Sequence, residues 1–387
     1  MKPVTYLDYN ATSPLRPQAL AVMTSVLQET GNPSSVHAYG RAARRHVDMA
    51  RQQVALLTGA RAENVIFTSG GTEANNLALL NAGDRRVLVS AIEHDSILKP
   101  AREMAAESIQ VQRSGEIDLD HFEAVLRQDA RPAFVSIMMA NNETGVIQPI
   151  GAVSEMAHRY GALLHVDAAQ AAGRIKVDVA TQGIDFLTLS AHKIGGPQGI
   201  GALILGRDRE ITALLLGGGQ ERGRRAGSEN VAAIAGFGAA AMVDTSAELA
   251  RIAWLRDELE AQLLSLGQPI TFFGRGQGMA LPQSHERLPN TSCFAAGSKN
   301  SETLVMALDL AGVAVSAGSA CSSGKVRPSH VITAMGFGAA TAGTAIRVSL
   351  GWQSRQEDVE RFVAAWSSIQ GRQGAAADAA GGVFSAA

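Results

Sequence analysis

DFLTLSAHKIGG, Asp185 to Gly196, is the stretch that decides how this sequence folds. Its first half is a short apolar run bounded by turn formers, which predicts a buried β-strand ending at Ser190. Its second half changes character at once. Small and polar residues and a Gly-Gly pair end the strand and open space above its carboxyl end. Lys193 stands in that space. A lysine taken alone is a solvent-facing residue. Beside small neighbours at a strand end, its amine is placed to form a Schiff base with an aldehyde.

The same pattern repeats outward. NVIFT, RVLVS, AFVSIMM, ALLHVD and GALILG are further short apolar runs, and TEANNLALLNA and GAVSEMAHRYG between them have helical spacing. Strands alternating with helices predict an α/β fold with a mostly parallel central sheet. In such sheets ligands bind beyond the carboxyl ends of the strands. After Gly223 the pattern changes. Residues 229 to 266 predict one long, interrupted helical stretch, followed by a compact α+β unit: strand NTSCFAA, helix SETLVMALDLAG, strand VAVS, a helix near Ser329 to Met335, strand AIRVSLG and a helix from Arg355 to Ile369. The expected organisation is a large domain over 14–258, a smaller α+β domain from 1–13 and 259–369, and a low-complexity tail over 370–387 without order of its own.

Composition narrows the function. The chain has 387 residues, 46% hydrophobic and 18% charged, and a net charge of -2 that gives no general attraction to nucleic acid or acidic membranes. No apolar run reaches membrane-spanning length, and MKPVTYLDYN lacks the apolar core of a signal peptide. Cys293 and Cys321 form neither a disulfide framework nor a zinc spacing. A cytoplasmic protein with free thiols and no metal site is expected.

The other strand ends carry chemistry too. HVDAAQ puts Asp167 at a strand terminus, with Gln170 just beyond; such an Asp caps a helix or pairs with a pyridinium nitrogen. FTSGGTEANN turns at Gly70 and Gly71 into a helix, and its first N–H groups, with the Thr72 hydroxyl, suit a phosphate as well as an ordinary cap. SAIEHDS brings His94 to the same rim, and ANNETG adds Asn142. Each is weak alone. A phosphate turn, an imidazole, an amide, an acid and a lysine at the strand ends of one sheet together predict a site for pyridoxal 5'-phosphate (PLP).

On these residues the sequence resembles a cysteine desulfurase of the NifS/IscS type, within the class V aminotransferase-like PLP enzymes of fold type I. YLDYNATSPL, GNPSSVHAYGRAAR, FTSGGTEANNLAL, NNETGVIQP, HVDAAQ, SAHKIGGPQGIGAL, GGGQERGRRAGSEN, RLPNT, GSACSSG and IRVSLG carry the resemblance, in order, from residue 6 to 351. It implies that Lys193 holds PLP, that His94 stacks on its ring and moves protons, that Asp167 faces the ring nitrogen and Gln170 the phenolic oxygen. Gly71, Thr72, Ser190 and His192 would hold the phosphate. Asn142 would face the substrate, L-cysteine, and Arg347 its carboxylate. Ser228 would reach the phosphate of a second subunit, which implies a homodimer. A sulfur-acceptor protein, such as an iron–sulfur scaffold, is the implied partner. Ser228 stands where Thr is commoner, Ala317 where Ser is usual, and Tyr9 where Asn is common.

The resemblance also explains AGSACSSGK, Ala317 to Lys325, where Cys321 lies among residues too small to pack a core. As nucleophile Cys321 would take the substrate's sulfur as a persulfide, leaving L-alanine, and His94 is a candidate acceptor for its proton. Cys293, in an apolar strand, is expected to be a small buried hydrophobe, and the arginines of QERGRR a solvated turn. Three alternatives stay open: a selenocysteine lyase or other sulfur-removing PLP enzyme, an aminotransferase, and a silent PLP-fold protein acting as scaffold.

Overall fold

The computed structural model describes residues 4–207, 209–275, 287–297, 299–318 and 328–381, with side chains up to residue 370. In chain order its strands are β1 (Thr5–Tyr6), β2 (Val65–Thr68), β3 (Arg86–Ser90), β4 (Glu107–Ile109), β5 (Ala133–Met138), β6 (Leu163–Asp167), β7 (Phe186–Ser190), β8 (Gly201–Leu205), β9 (Ile270–Phe272), β10 (Thr291–Ala296), β11 (Val313–Ala314), β12 (Ser316–Ala317) and β13 (Ala345–Ser349).

Seven of them form the central sheet, in the order β2-β8-β7-β6-β5-β3-β4. The run from β4 to β7 is parallel, and β8 lies antiparallel between β7 and β2. β3, β5, β7 and β8 are buried along their whole length, because helices cover both faces. The period of two survives underneath. Leu187, Leu189, Ala202 and Ile204 pack into one core, and Phe186, Leu203 and Leu205 into the core on the opposite face. The six strands expected in this region are present. β4 was not expected, because an edge strand with exposed Glu107 and Ser108 has no apolar run to betray it.

A second sheet, β12-β13-β10-β9, is antiparallel. In its core Phe362 stacks on Trp366 and Phe294 packs edge-on against both, all three fully buried. The helix Ser246–Ser265 adds Ile252, Leu255, Leu259 and Leu263 to the same core. β1 pairs in parallel with β11, and Asp8 bridges to Ser349, so the start of the chain is stitched into this unit.

The interruption expected within residues 229–266 is present, and two other expectations need correction. Residues 229–266 form two helices, Val231–Ala241 and Ser246–Ser265; Asp244 accepts from the Ser246 N–H and hydroxyl, and Thr245 donates to the Gly173 carbonyl, so the break is built from capping side chains. VAVS is not one strand: Val315 separates β11 from β12, which pair in different sheets. The last helix runs from Gln356 to Gly381, well into the tail expected to lack order, and the alanines of GAAADAAG supply the propensity. Among the described residues no helix is long and apolar enough to cross a membrane.

Candidate active site

The carboxyl ends of β5, β6 and β7 lie side by side in the sheet and deliver most of the expected residues to one rim. β6 ends at Asp167, whose side chain is buried. One oxygen accepts from the Ala169 N–H at 2.9 Å and the other from Asn75 Nδ2 at 2.8 Å. Asn75, buried in the helix Gly71–Leu80, also donates to Ser96 Oγ at 2.8 Å. Ser96 Oγ lies 2.8 Å from His94 Nδ1, and the Ser96 backbone N–H donates to the same nitrogen at 3.2 Å. The tautomer follows from this run. Nδ1 accepts a backbone N–H, so the imidazole carries its proton on Nε2 and presents a donor there. The candidate role of His94 as acceptor for the Cys321 proton therefore meets an imidazole whose accepting nitrogen is already engaged.

The turn after β2 is fixed as closely. Gly70 adopts φ 157° and ψ 179°, a region essentially restricted to glycine. The helix begins at Gly71, and Glu73 reaches back to accept from the Ser69 N–H at 2.8 Å. A Cβ on Gly71 would lie 3.4 Å from Ser190 Cβ, so the helix N-terminus and the end of β7 are in contact. Thr72 is exposed beside them. His192 lies near Thr12, with Nδ1 3.1 Å from Thr12 Oγ1. Burial, then the charges of Lys193 and Arg174, push its pKa down to about 4, so at neutral pH it is an uncharged imidazole.

Lys193 closes the short 3-10 turn after β7. Its Nζ donates to the Asn10 carbonyl at 2.6 Å and the Ala11 carbonyl at 2.9 Å. Gln170 Nε2 donates to the same Asn10 carbonyl at 3.0 Å. The Asn10 side chain donates to the Asn142 carbonyl at 3.1 Å and to Thr291 Oγ1 at 2.9 Å. Arg347, on β13 of the second sheet, donates to the same Asn142 carbonyl at 3.0 Å and to Asp8 Oδ1 at 2.6 Å. Asn10 thus joins the lysine side of the site to the arginine side. In the turn that carries Asn142, Glu143 is buried and accepts from Ser329 Oγ at 2.5 Å. Burial raises its pKa to about 7, against the pull of Ser329 and Arg347.

His94, Asp167, Gln170, Ser190, His192, Lys193, Asn142 and Arg347 all take part in this arrangement, with Gly71 and Thr72 at the helix start. Ser228 does not join it within the chain and is exposed. Cys321 lies outside the described residues. Cys293 is fully buried, and burial raises its thiol pKa. QERGRR is not a simple solvated turn. Buried Glu221 pairs with both terminal nitrogens of Arg51 at 2.7 Å, and Arg225 pairs with Glu73 at 2.9 Å, tying this segment to the turn after β2. The residues that sequence reasoning missed are Asn10, Asn75, Ser96 and Glu143. All four lie inside quoted motifs, but nothing in a linear pattern says which residues meet.

The aminotransferase class-V family model matches residues 5–362. The cysteine desulfurase of Cereibacter sphaeroides is 40% identical over 378 residues, covering 92% of this chain and 93% of that protein. The chain belongs to the cysteine desulfurases of the aminotransferase class-V family. Among other members, cysteine desulfurase IscS of Dictyoglomus turgidum is 39% identical, covering 93% of this chain and 92% of its own length. The solved structure of a NifS-like protein from Rickettsia africae superposes with a TM-score of 0.87 at 36% identity, covering 95% of this chain and 99% of the other.

Cysteine desulfurases are PLP-dependent enzymes, and the residues present fit that cofactor. A lysine amine, a buried carboxylate, a helix N-terminus against a serine hydroxyl and an uncharged imidazole are the donor set it needs. Arg347 Nε is a buried donor and Asn75 Oδ1 a buried acceptor, both without a protein partner, as expected of a site completed by polar ligands.

Proposed function

We propose that Lys193, His94 and Cys321 carry out PLP-dependent removal of sulfur from L-cysteine, giving L-alanine and a persulfide on Cys321. The hydrogen-bonded run from Asp167 through Asn75 and Ser96 to His94, on the same rim as Lys193, carries this reading. Lys193 would hold PLP, Asp167 its ring nitrogen and Gln170 its phenolic oxygen. Gly71, Thr72, Ser190 and His192 would hold its phosphate. PLP, when bound, supplies the electron sink that makes the α-proton of cysteine removable.

The chain's own groups do the rest. Asn142 and the unpartnered Nε of Arg347 bind the cysteine carboxylate, with Asp8 fixing the guanidinium plane. Lys193 Nζ takes the proton from Cα, leaving the Asn10 carbonyl to do so. His94 donates from Nε2. The Cys321 thiolate attacks the substrate's sulfur. A bond forms between the two sulfurs, the bond from sulfur to Cβ breaks, and its electron pair stays on the carbon fragment, which takes up protons and leaves as L-alanine.

We place the enzyme in the cytoplasm as a homodimer. Val36, Tyr39, Leu27 and Leu216 are exposed by 88, 67, 72 and 86%, apolar side chains that a second subunit would cover. Ser228, exposed on its own chain, would then meet the second subunit's phosphate site. The persulfide would pass to an acceptor protein, with an iron–sulfur scaffold as the first candidate. The test is alanine formation from L-cysteine by the PLP-loaded protein with a thiol reductant, beside Cys321→Ala. Many turnovers by the parent and none by the variant are expected. Equal turnover would remove the persulfide step, and no alanine from either would remove the substrate.

A further inference from the structure

Arg174 stands four residues after Gln170, in the turns that follow β6. Its Nη1 donates to Gln170 Oε1 at 2.5 Å and to Asn10 Oδ1 at 2.9 Å, with a longer bond to the Gln170 carbonyl at 3.3 Å. Its Nη2 donates to the Tyr9 and Lys193 carbonyls at 3.4 Å each. Every one of these partners is an uncharged oxygen. No carboxylate pairs with it among the described residues, and the neighbouring charge it feels is the positive one on Arg347.

Two consequences follow. A guanidinium only donates, so it fixes which end of the Gln170 amide is oxygen. Oε1 faces Arg174, and Nε2, now on the Asn10 carbonyl, is the end left to donate to a ligand. The second consequence is electrostatic. A partly buried cation surrounded by neutral acceptors favours an anionic group nearby, since it has no counter-ion of its own. The other charged or titratable groups around it are Lys193 and His192 on the turn after β7, Tyr9, Arg347 with its partner Asp8, and Arg16 with its partner Glu248, which line the same cavity as Arg174.

We infer that Arg174 is a positioning residue for the cofactor: it holds Gln170 as an N–H donor and, through it, favours the ionised form of PLP's phenolic oxygen. The inference rests on Gln170 facing that oxygen. It concerns a residue outside the set expected from the sequence, and it assigns the charge to the arginine and the contact to the glutamine.

The experiment titrates bound PLP by its visible absorption against pH, and measures the PLP dissociation constant, for the parent enzyme and for Arg174→Met, Arg174→Lys, Gln170→Met and the double variant. Deprotonating bound PLP makes it more negative, which a nearby cation favours, so losing the charge raises the midpoint of the spectral transition. Arg174→Met is expected to raise it by about one pH unit and weaken PLP binding by roughly tenfold. Arg174→Lys should recover most of the midpoint. Gln170→Met should shift both quantities, and adding Arg174→Met to it should add little. Apo Arg174→Met should melt somewhat below the apo parent, because Arg174's hydrogen bonds are lost, and the gap should widen when PLP is loaded. If Gln170→Met shifts both and Arg174→Met neither, the Gln170 assignment stands and the inference falls. If Gln170→Met is silent, the assignment itself falls and the inference with it. Fully additive shifts, or an apo Arg174→Met protein as weakened as the loaded one, would show a direct effect or a mere brace and overturn the relay.

Discussion

The two sides of this site are held by different physics. On the sheet rim, Asp167, Asn75, Ser96 and His94 form a chain of side-chain hydrogen bonds, each 2.8 Å long. On the side facing the second sheet, the turn of Asn142 and Glu143 meets Arg347, Asp8 and Ser329, and one of its buried groups, Glu143, has a pKa of about 7. The rim is held by hydrogen-bond geometry. The other side changes charge near neutrality, next to the residues that would hold the substrate. Gly318 lies there too: a Cβ on it would stand 2.7 Å from Glu143 Oε2.

The largest effect should come from the rim. Lys193→Ala is expected to lower alanine formation by at least about 10³-fold, while the folded protein, followed by thermal melting, changes little. A variant that still turns over at a tenth of the parental rate would place the essential amine elsewhere.

Glu143→Gln probes the other side. The folded-state pKa of Glu143 is raised above that of the unfolded chain, so folding takes up a proton, and stability is full below pH 4.5 and declines as pH rises towards 7. Above that the charged carboxylate costs up to about 3 kcal/mol. Glutamine stays neutral and can still accept from Ser329. Urea unfolding at pH 8 should therefore show the variant more stable than the parent, with the difference vanishing near pH 4.5. A parent whose stability is flat between pH 5 and 8 would contradict the shifted carboxyl.

Asn10 joins the two sides, and Asn10→Ala removes donors to Asn142 and Thr291 and an acceptor for Arg174 and Asn290. A loss of roughly 2 kcal/mol of stability is expected. A rise in KM for cysteine larger than the fall in kcat should accompany it, since Arg347 shares the Asn142 carbonyl. An unchanged KM would mean that the sides are independent.

The smallest expected effect is Arg225→Ala, which frees Glu73 from its partner beside the turn after β2. This pair is partly exposed, so about 0.5 kcal/mol of stability is at stake. PLP affinity should weaken only a few-fold, read by equilibrium titration. A hundredfold loss would assign the arginine to the phosphate itself.

Much of this was legible in the residues. Buried strands of a two-sided sheet are short continuous apolar runs, so β2, β3 and β5 to β8 declared themselves, and strand ends directed attention to His94, Asp167 and Lys193. Features without a linear signature stayed hidden. β4 is polar at the sheet edge, and the break at Asp244 to Ser246 depends on side-chain caps. Asn75, Ser96 and Asn10 act through partners far along the chain, as Asn10 does with Asn290, 280 positions away. Glu221 looked like part of a charged turn, yet the structure buries it against Arg51 and the Phe67 N–H. Spacing finds elements; it does not find networks.

The account's central claim is that this rim holds PLP on Lys193. The most direct measurement is to load the protein with PLP, reduce it with borohydride, digest it and map the labelled peptide by mass spectrometry. The account predicts a phosphopyridoxyl group on the peptide containing Lys193, and none on that peptide in Lys193→Ala. Label on another lysine, or no stable label in a protein that has bound PLP, would contradict it.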